Sequence, residues 1–226
     1  MADAEPPSLD AVPVFPLPGI TLFPHTHLPL HVFEPRYRAL MEDTLAKPEP
    51  QHVFAMGTLL ENPCAESLGE PPVHCVAGVG RIVEYSRIPD GRFMLVLQGI
   101  GRARLAREHA LVNGYRMFEA AWMPDIAPPW QDGWCHDLTA ELKTLALALL
   151  RDQAEKFRHM LAEETELGRL TDLLCGYLPL PPQFKLEQLG CVNVIERAAR
   201  TIAQLESRLV AAPIKPLRPD ETPLSN

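Results

Sequence analysis

Three histidines near the N-terminus have the types and spacing that come closest to a metal site. His25, His27 and His31 lie within seven residues, and three imidazoles with one open position form a catalytic zinc site. The alternating hydrophobicity around them predicts a β-strand, however, in which four residues span roughly 13 Å. His27 and His31 would then be too far apart to bind one ion without a sharp bend. We therefore expect no metal here.

The other reactive residue types are scattered rather than clustered. The chain has five cysteines, an odd number, and none of them forms a Cys-x-x-Cys pair. This pattern disfavours a disulfide framework and a thiolate zinc site, and it favours buried free thiols. No Gly-x-x-x-x-Gly-Lys-Ser/Thr loop and no local Ser-His-Asp or Cys-His signature occurs. We therefore predict no catalytic residues, no cofactor and no enzymatic activity.

A run of arginines is the strongest local departure from the acidic character of the chain. Seven arginines and three acidic residues lie between residues 81 and 116, which leaves this segment at +4 in a chain of net charge −8. A solvated sheet face, a nucleic-acid patch and a surface for acidic partners remain open as interpretations. Alternation with Ala103 and Leu105 favours the solvated face, and the acidic chain disfavours nucleic acid as a partner. The candidate phosphate contacts are Arg81, Arg92, Arg102 and Arg104.

Hydrophobic periodicity divides the chain into two parts that must position these residues. Between residues 12 and 122 the period is mostly two, and glycines at the expected bends favour a small, curled β-barrel. Between residues 135 and 210 the period is 3.6, which predicts an α-helical bundle. We predict an α+β protein with a barrel subdomain (1–122), a linker (123–134), a helical subdomain (135–210) and a flexible tail (211–226).

One helix is expected inside the barrel, and a short motif marks its start. Pro35 suits the first turn of a helix, where its missing N–H would have no partner. Glu34 and Arg36 are expected to cap this helix and tie the barrel corner, and Tyr37 to lie in the core with its hydroxyl at the rim. Together with Phe33, these residues are interpreted as a structural motif.

Two tryptophans flank the predicted linker. Trp130 and Trp134 are expected to dock the bundle onto the barrel, whereas exposed rings there would indicate a partner site. With Phe23, His25 and His27, they are our candidate protein-binding residues.

Three stretches of the sequence resemble a known family. VPVFPLPGITLFPHTHLPLHVFEPRYRALMED (residues 12–43) resembles the opening of the Lon N-terminal domain, the substrate-binding domain of ATP-dependent Lon proteases. GVGRIVEYSRIPDGRFMLVLQGIGRARL (78–105) resembles its central hairpin, and residues 168–206 are similar, more loosely, to its helical part. The resemblance implies a PUA-like curled barrel followed by a helical subdomain.

The resemblance also implies a function and its limits. We expect a module that binds unfolded or extended polypeptide segments and works with a separate protease or chaperone. The phosphate-binding loop and the Ser-Lys peptidase dyad of full-length family members have no counterpart here, so the expected module is free-standing and non-catalytic. RNA binding through the PUA-like barrel is the alternative. The acidic first residues and the lack of a long apolar run predict a cytoplasmic location and no membrane partner.

Overall fold

The computed structural model describes residues 6–60, 71–127, 133–150, 154–164 and 166–211. The strands in these ranges are β1 (Val12–Leu17), β2 (His27–Val32), β3 (Val53–Thr58), β4 (Val76–Arg87), β5 (Phe93–Glu108) and β6 (Arg116–Trp122). The helices are α1 (Pro35–Leu45), α2 (Gly133–Leu150), α3 (Ala154–Glu163), α4 (Leu167–Tyr177), α5 (Pro182–Gly190) and α6 (Val194–Ala211). The predicted α+β class, with a barrel, one inserted helix and a following helical part, is confirmed.

Five of the strands close on themselves to form the barrel. The pairing order is β5-β4-β3-β1-β6, and β6 pairs again with β5. Closure is possible because β5 is 16 residues long: its first half pairs with β2, and its second half pairs with β6. β1 and β3 run parallel because β2 and α1 form the crossover between them. β2 therefore lies outside the closed barrel and forms an edge strand of the sheet.

Alternate residues of the five barrel strands point into one cluster of small aliphatic side chains. This cluster includes Val14 of β1, Ala55 of β3, Val79 of β4 and Ala103 of β5, each 0% exposed. A second cluster lies between the sheet and α1, where Tyr37, Leu40 and Met41 supply the helical contacts. Both faces of the central strands are thus buried, as expected for a small barrel with a covering helix.

Proline at the β2 edge limits pairing there. The His27 amide donates to the Tyr177 hydroxyl at 3.1 Å, so it points away from β5. Because strand amides alternate in direction, position 29 also faces outward, and Pro29 has no N–H to offer. The β2 edge is therefore closed to strand addition at both positions.

The helical part packs around its own core. α2, α4 and α6 contribute Leu142, Leu170, Ala198 and Leu205 to one buried cluster. α6 begins after Asn193, whose side-chain oxygen accepts from the Glu196 amide at 3.0 Å, which is the N-cap bond that asparagine favours. None of the described helices combines the length and apolarity needed to cross a membrane.

The segment between β1 and β2 lies directly on the sheet because glycines leave room for it. A Cβ atom at Gly78 would overlap the Leu22 carbonyl oxygen, and one at Gly99 would overlap the Phe23 carbonyl oxygen. This close approach places Leu22 in the cluster beneath α1 and Phe23 in the helical core. The two glycines therefore set how the barrel meets the helices.

We expect Gly78→Ala to lower the free energy of unfolding by about 2–3 kcal/mol, because the added methyl group displaces the Leu22 backbone. Urea denaturation followed by circular dichroism measures this loss. Gly133→Ala is the matched control, since nothing lies within 4 Å of a Cβ there, and it should not destabilise the protein. Equal midpoints for Gly78→Ala and the parent protein would contradict the close approach.

Candidate functional site

The barrel and the helices share one apolar seam. Phe23 is 0% exposed and Val76 is 4% exposed, and both barrel residues belong to the helical core. Phe23 is therefore unavailable to a partner, contrary to the prediction that it binds one. It is buried because the glycines of β4 and β5 let its backbone lie on the sheet and its ring enter the helices.

Four charged side chains meet in this seam and join four parts of the chain. Arg102 of β5 donates through Nη1 to Asp125 Oδ1 at 2.6 Å and through Nη2 to Asp172 Oδ1 of α4. Arg197 of α6 donates through Nη2 to Asp125 Oδ2 at 2.5 Å, and its Nε lies 3.2 Å from Asp172 Oδ1. We call these four residues the charge cluster. It connects the barrel, the segment after β6 and two helices.

The charge cluster is almost completely removed from water. The side chains of Arg197, Asp172 and Arg102 are 0%, 1% and 3% exposed, and only Asp125 reaches 30%. Burial raises the pKa of Asp172 to about 6, while the two guanidiniums act in the opposite direction. Burial also raises the pKa of the Cys175 thiol to about 12, so this thiol stays protonated and is a poor nucleophile.

An open cavity of about 490 Å³ lies against the charge cluster. Arg102, Asp125 and Asp172 form its charged side. Its apolar walls are Pro6, Pro24, Ile100, Trp122, Met123 and Pro124. We call this space the seam cavity. Its size falls in the range of ligand pockets, and its mixture of apolar walls and a few polar groups is typical of binding sites.

Trp122 is held in place as one wall of the seam cavity. Its indole Nε1 donates to the Pro7 carbonyl oxygen at 3.0 Å. Its ring lies on Gly101, where a Cβ atom would come within 2.6 Å of the ring. The aromatic wall is therefore already in position before any ligand arrives.

The three N-terminal histidines go to different places. His25 lines the seam cavity with a left-handed φ of 66°, and partial burial, followed by the Arg169 charge, lowers its pKa below the ordinary 6.5. His27 uses its backbone amide to bind Tyr177 at the β2 edge. The His31 ring lies 5.8 Å from the Phe33 ring. In the described ranges, no group of three His, Cys, Asp or Glu residues is arranged to bind a metal.

Of the two linker tryptophans, Trp134 is described, and it does not form the expected docking contact. Trp134 is 63% exposed in the first turn of α2, and Trp130 lies outside the described residues. Trp122 does lie at the seam. The hydrophobic periodicity predicted it as the last residue of the barrel part and gave no sign of this role.

The candidate nucleic-acid residues are dispersed. Arg102 is buried in the charge cluster, so it cannot contact phosphate, and the solvated-face interpretation is wrong for it. Arg81 is half-buried, Arg92 binds Asp90 at 2.6 Å, and Arg104 is exposed. These four guanidiniums therefore do not form one continuous basic face.

The motif at the start of α1 builds a corner of the barrel. Arg36 Nε donates to Glu34 Oε2 at 3.1 Å, and Pro35 occupies the first helical turn. The Glu34 side chain makes no capping bond, contrary to expectation; its backbone carbonyl accepts from the Arg38 amide at 2.9 Å. Tyr37 is buried 4.2 Å from Phe15, measured between ring centroids.

Phe33, the first residue of that motif, is 59% exposed, and Met94 on β5 is 45% exposed. Met94 is the cross-strand partner of His31, whose ring contacts Phe33. We call His31, Phe33 and Met94 the outer-face patch. It is a second exposed apolar surface, outside the barrel and separate in lining from the seam cavity.

Sequence reasoning missed most of the residues at the seam. Ile100, Met123 and Asp125 carry no recognisable local signal. Asp172 and Arg197 do carry one, because each interrupts an apolar helical stripe: Asp172 lies beside Leu173 and Leu174, and Arg197 lies beside Ala198. A charged residue within a buried stripe indicates a charged partner elsewhere in the fold.

Comparison with known proteins decides the family. The family model described as "ATP-dependent protease La (LON) substrate-binding domain" matches residues 11–207. The chain belongs to this family. Similar relatives include the Lon protease of Lawsonia intracellularis, 28% identical over 90% of this chain and 24% of that protein, and Lon protease 2 of Sorangium cellulosum, 26% identical over 92% of this chain and 26% of that protein.

Solved structures of the Lon family share the fold. The N-terminal domain of Mycobacterium avium complex Lon protease matches with a TM-score of 0.68 and 23% identity, covering 87% of this chain and 98% of that one. A Lon N-terminal domain protein from Xanthomonas campestris matches with a TM-score of 0.59 and 24% identity, covering 85% and 97%. The chain spans about a quarter of the length of the curated relatives it matches.

We expect Arg197→Met to lower the free energy of unfolding by about 3 kcal/mol, because it leaves Asp125 and the buried Asp172 with the Arg102 guanidinium as their one remaining partner in the cluster. Chemical denaturation at pH 7 measures the loss. Arg200→Met, one turn along the same helix, removes an exposed pair with Glu196 and should change stability by less than about 1 kcal/mol. Similar losses in both variants would show that burial does not govern the energetics of the cluster.

Asp172 should make stability depend on pH in a direction opposite to that of ordinary paired carboxylates. Its folded-state pKa of about 6 lies above the ordinary 3.8, so its contribution is present at low pH and is lost as pH rises through about 6. When the pH is lowered from 7 to 4.5, we expect the free energy of unfolding of the parent protein to rise by about 2 kcal/mol relative to that of Asp172→Asn. Urea titrations of both proteins across this pH range measure the change. A difference in unfolding free energy that does not vary with pH would show that the guanidiniums keep the Asp172 carboxylate ionised.

Proposed function

We propose that this chain is a polypeptide-binding module that captures unfolded or extended segments with exposed apolar residues. The observation that carries the proposal is the seam cavity, an apolar-walled opening of about 490 Å³ in a chain of the Lon substrate-binding family. Transfer of an apolar side chain from water into such a site is favourable by a free energy of roughly 25 cal/mol per Å² of buried apolar surface.

Recognition rests on side chains rather than on strand addition. Pro29 and the bond between the His27 amide and Tyr177 remove two donors from the β2 edge, which disfavours strand addition there. The outer-face patch offers a second apolar contact, so a long extended client could touch both surfaces. Binding of this kind needs no nucleotide and breaks no bond in the client.

We further propose that the captured segment passes to a separate protease or chaperone, and that this happens in the cytoplasm. The cysteines in the described ranges, Cys75, Cys135, Cys175 and Cys191, are all free. Free thiols suit a reducing compartment, which supports the cytoplasmic proposal.

A reduced and carboxymethylated polypeptide carrying a fluorescent dye should bind the protein, and fluorescence anisotropy measures the affinity. The same polypeptide with its native disulfides intact is the control and should bind at least tenfold more weakly, because its apolar residues are buried. Addition of ATP should leave the affinity unchanged.

A labelled RNA of similar mass, titrated at two salt concentrations, is the competing arm. Binding of RNA that weakens steeply with salt, together with no binding of the unfolded polypeptide, would replace this proposal with nucleic-acid recognition.

A further inference from the structure

Resting on the proposed function, we propose that the seam cavity holds one bulky, uncharged side chain of an extended polypeptide, with the His25 imidazole hydrogen-bonded to the backbone beside that residue. The chemical class of the occupant follows from three features of the cavity: its walls, its charged side and its rim.

The walls favour an apolar guest and are fixed in advance. Three of the wall residues are prolines, which have no N–H to offer and a restricted backbone. Trp122 is held by the Pro7 carbonyl and by contact with Gly101. Because little side-chain freedom remains to be lost on binding, contact with such walls is gained at a low entropic penalty.

The charge cluster that supplies the charged side of the cavity has no net charge as a whole, because Arg197, which is not a lining residue, balances the second carboxylate. Two guanidiniums face two carboxylates in the charge cluster, and each carboxylate already accepts from both arginines or lies in ion-pair contact with them. A lysine or glutamate guest would lose its hydration and find no unpaired counter-charge. An aromatic or aliphatic guest loses no such hydration, so the cavity discriminates by charge as well as by size.

His25 supplies the polar contact at the rim. Its amide donates to the Gly99 carbonyl oxygen at 2.8 Å, which anchors the left-handed residue to the sheet. His25 as a residue is exposed, although its imidazole is partly buried, and the ring makes no hydrogen bond to the described residues. In its neutral form, one ring nitrogen donates and the other accepts, so it can bind a peptide N–H or carbonyl group. A fully extended client exposes both groups beside every side chain.

The cavity volume limits the occupant to a short piece of chain. About 490 Å³ accommodates one large side chain with part of its backbone, whereas the surface of a folded domain cannot enter. The occupant is therefore an unfolded or extended segment, and its inserted residue is aromatic or large and aliphatic.

The first test uses the parent protein and a Gly/Ser host peptide with one central guest residue. Phe and Leu guests should bind at least tenfold more tightly than Lys and Glu guests, and they should shift the NMR signal of the Trp122 indole N–H. Equal affinities for Phe and Lys guests, or Phe binding that leaves the Trp122 signal unchanged, would overturn the proposal. This arm does not depend on how well any variant folds.

The second test uses variants whose fold is checked by amide dispersion. Ile100→Asp should weaken binding of the Phe peptide at least tenfold, and Ile100→Val should stay within threefold. Met123→Glu is the alternative if Ile100→Asp unfolds. His25→Gly should weaken binding several-fold, and His25→Asn, which also tolerates a left-handed backbone and keeps a donor and an acceptor, should restore most of it. Unchanged binding in folded Ile100→Asp or Met123→Glu would overturn the proposal.

Met94→Asp in the outer-face patch separates this inference from the proposed function. If the carboxymethylated polypeptide binds the parent protein and Ile100→Asp equally but is lost in Met94→Asp, the seam cavity is not the anchor and polypeptide binding stands. If the parent protein does not bind the carboxymethylated polypeptide at all, the proposed function itself fails.

Discussion

The position of the barrel against the helices depends on two guanidiniums and two carboxylates that neutralise one another where three of the four are almost fully buried. Arg102, Asp125, Asp172 and Arg197 come from four separate segments, and a buried charge without a partner is strongly unfavourable. A shifted arrangement of barrel and helices would leave at least one of them unpaired. An apolar seam of similar area would tolerate sliding, because dispersion and hydrophobic contacts are not directional. The cluster therefore contributes positional specificity more than net stability.

That specificity has a consequence for the surface. Phe23 fills part of the seam by entering the helical core, and the following residues, Pro24 and His25, line the seam cavity, where the barrel and the helices leave an open space. The same residues thus fix the relative position of the two parts and form one side of the opening between them. Because Gly78 and Gly99 let the Leu22–Phe23 backbone lie on the sheet, the cavity wall formed by Pro24 and His25 is also set by the barrel rather than by a loose loop.

Local order was predictable from the sequence, and long-range partners were not. Period-two and period-3.6 hydrophobicity located the strands and most helices, Pro35 marked the start of α1, and Asn193 marked the cap of α6, because each of these effects acts over a few residues. Asp137 has a residue type that favours an N-cap, yet it lies inside α2, and Pro182 lies in a proline-rich stretch, yet it begins α5. Arg102 resembled a solvated arginine because its partner Asp172 is 70 residues away in the chain. Phe23 resembled a surface aromatic because the glycines that bury it lie on other strands.

A cavity between the barrel and the helices differs from a flat apolar patch in the partners that it can accept. A flat exposed patch such as His31, Phe33 and Met94 can contact any other flat apolar surface, including that of a folded protein or of a second copy. The seam cavity, with a volume of about 490 Å³, has room for one protruding side chain, and the charged groups beside it are already paired with one another. Folded proteins bury most such side chains, whereas unfolded ones expose them continuously. Under the proposed function, the distinction between folded and unfolded clients arises from the size and electrical neutrality of a single opening, with no requirement for a particular sequence in the client.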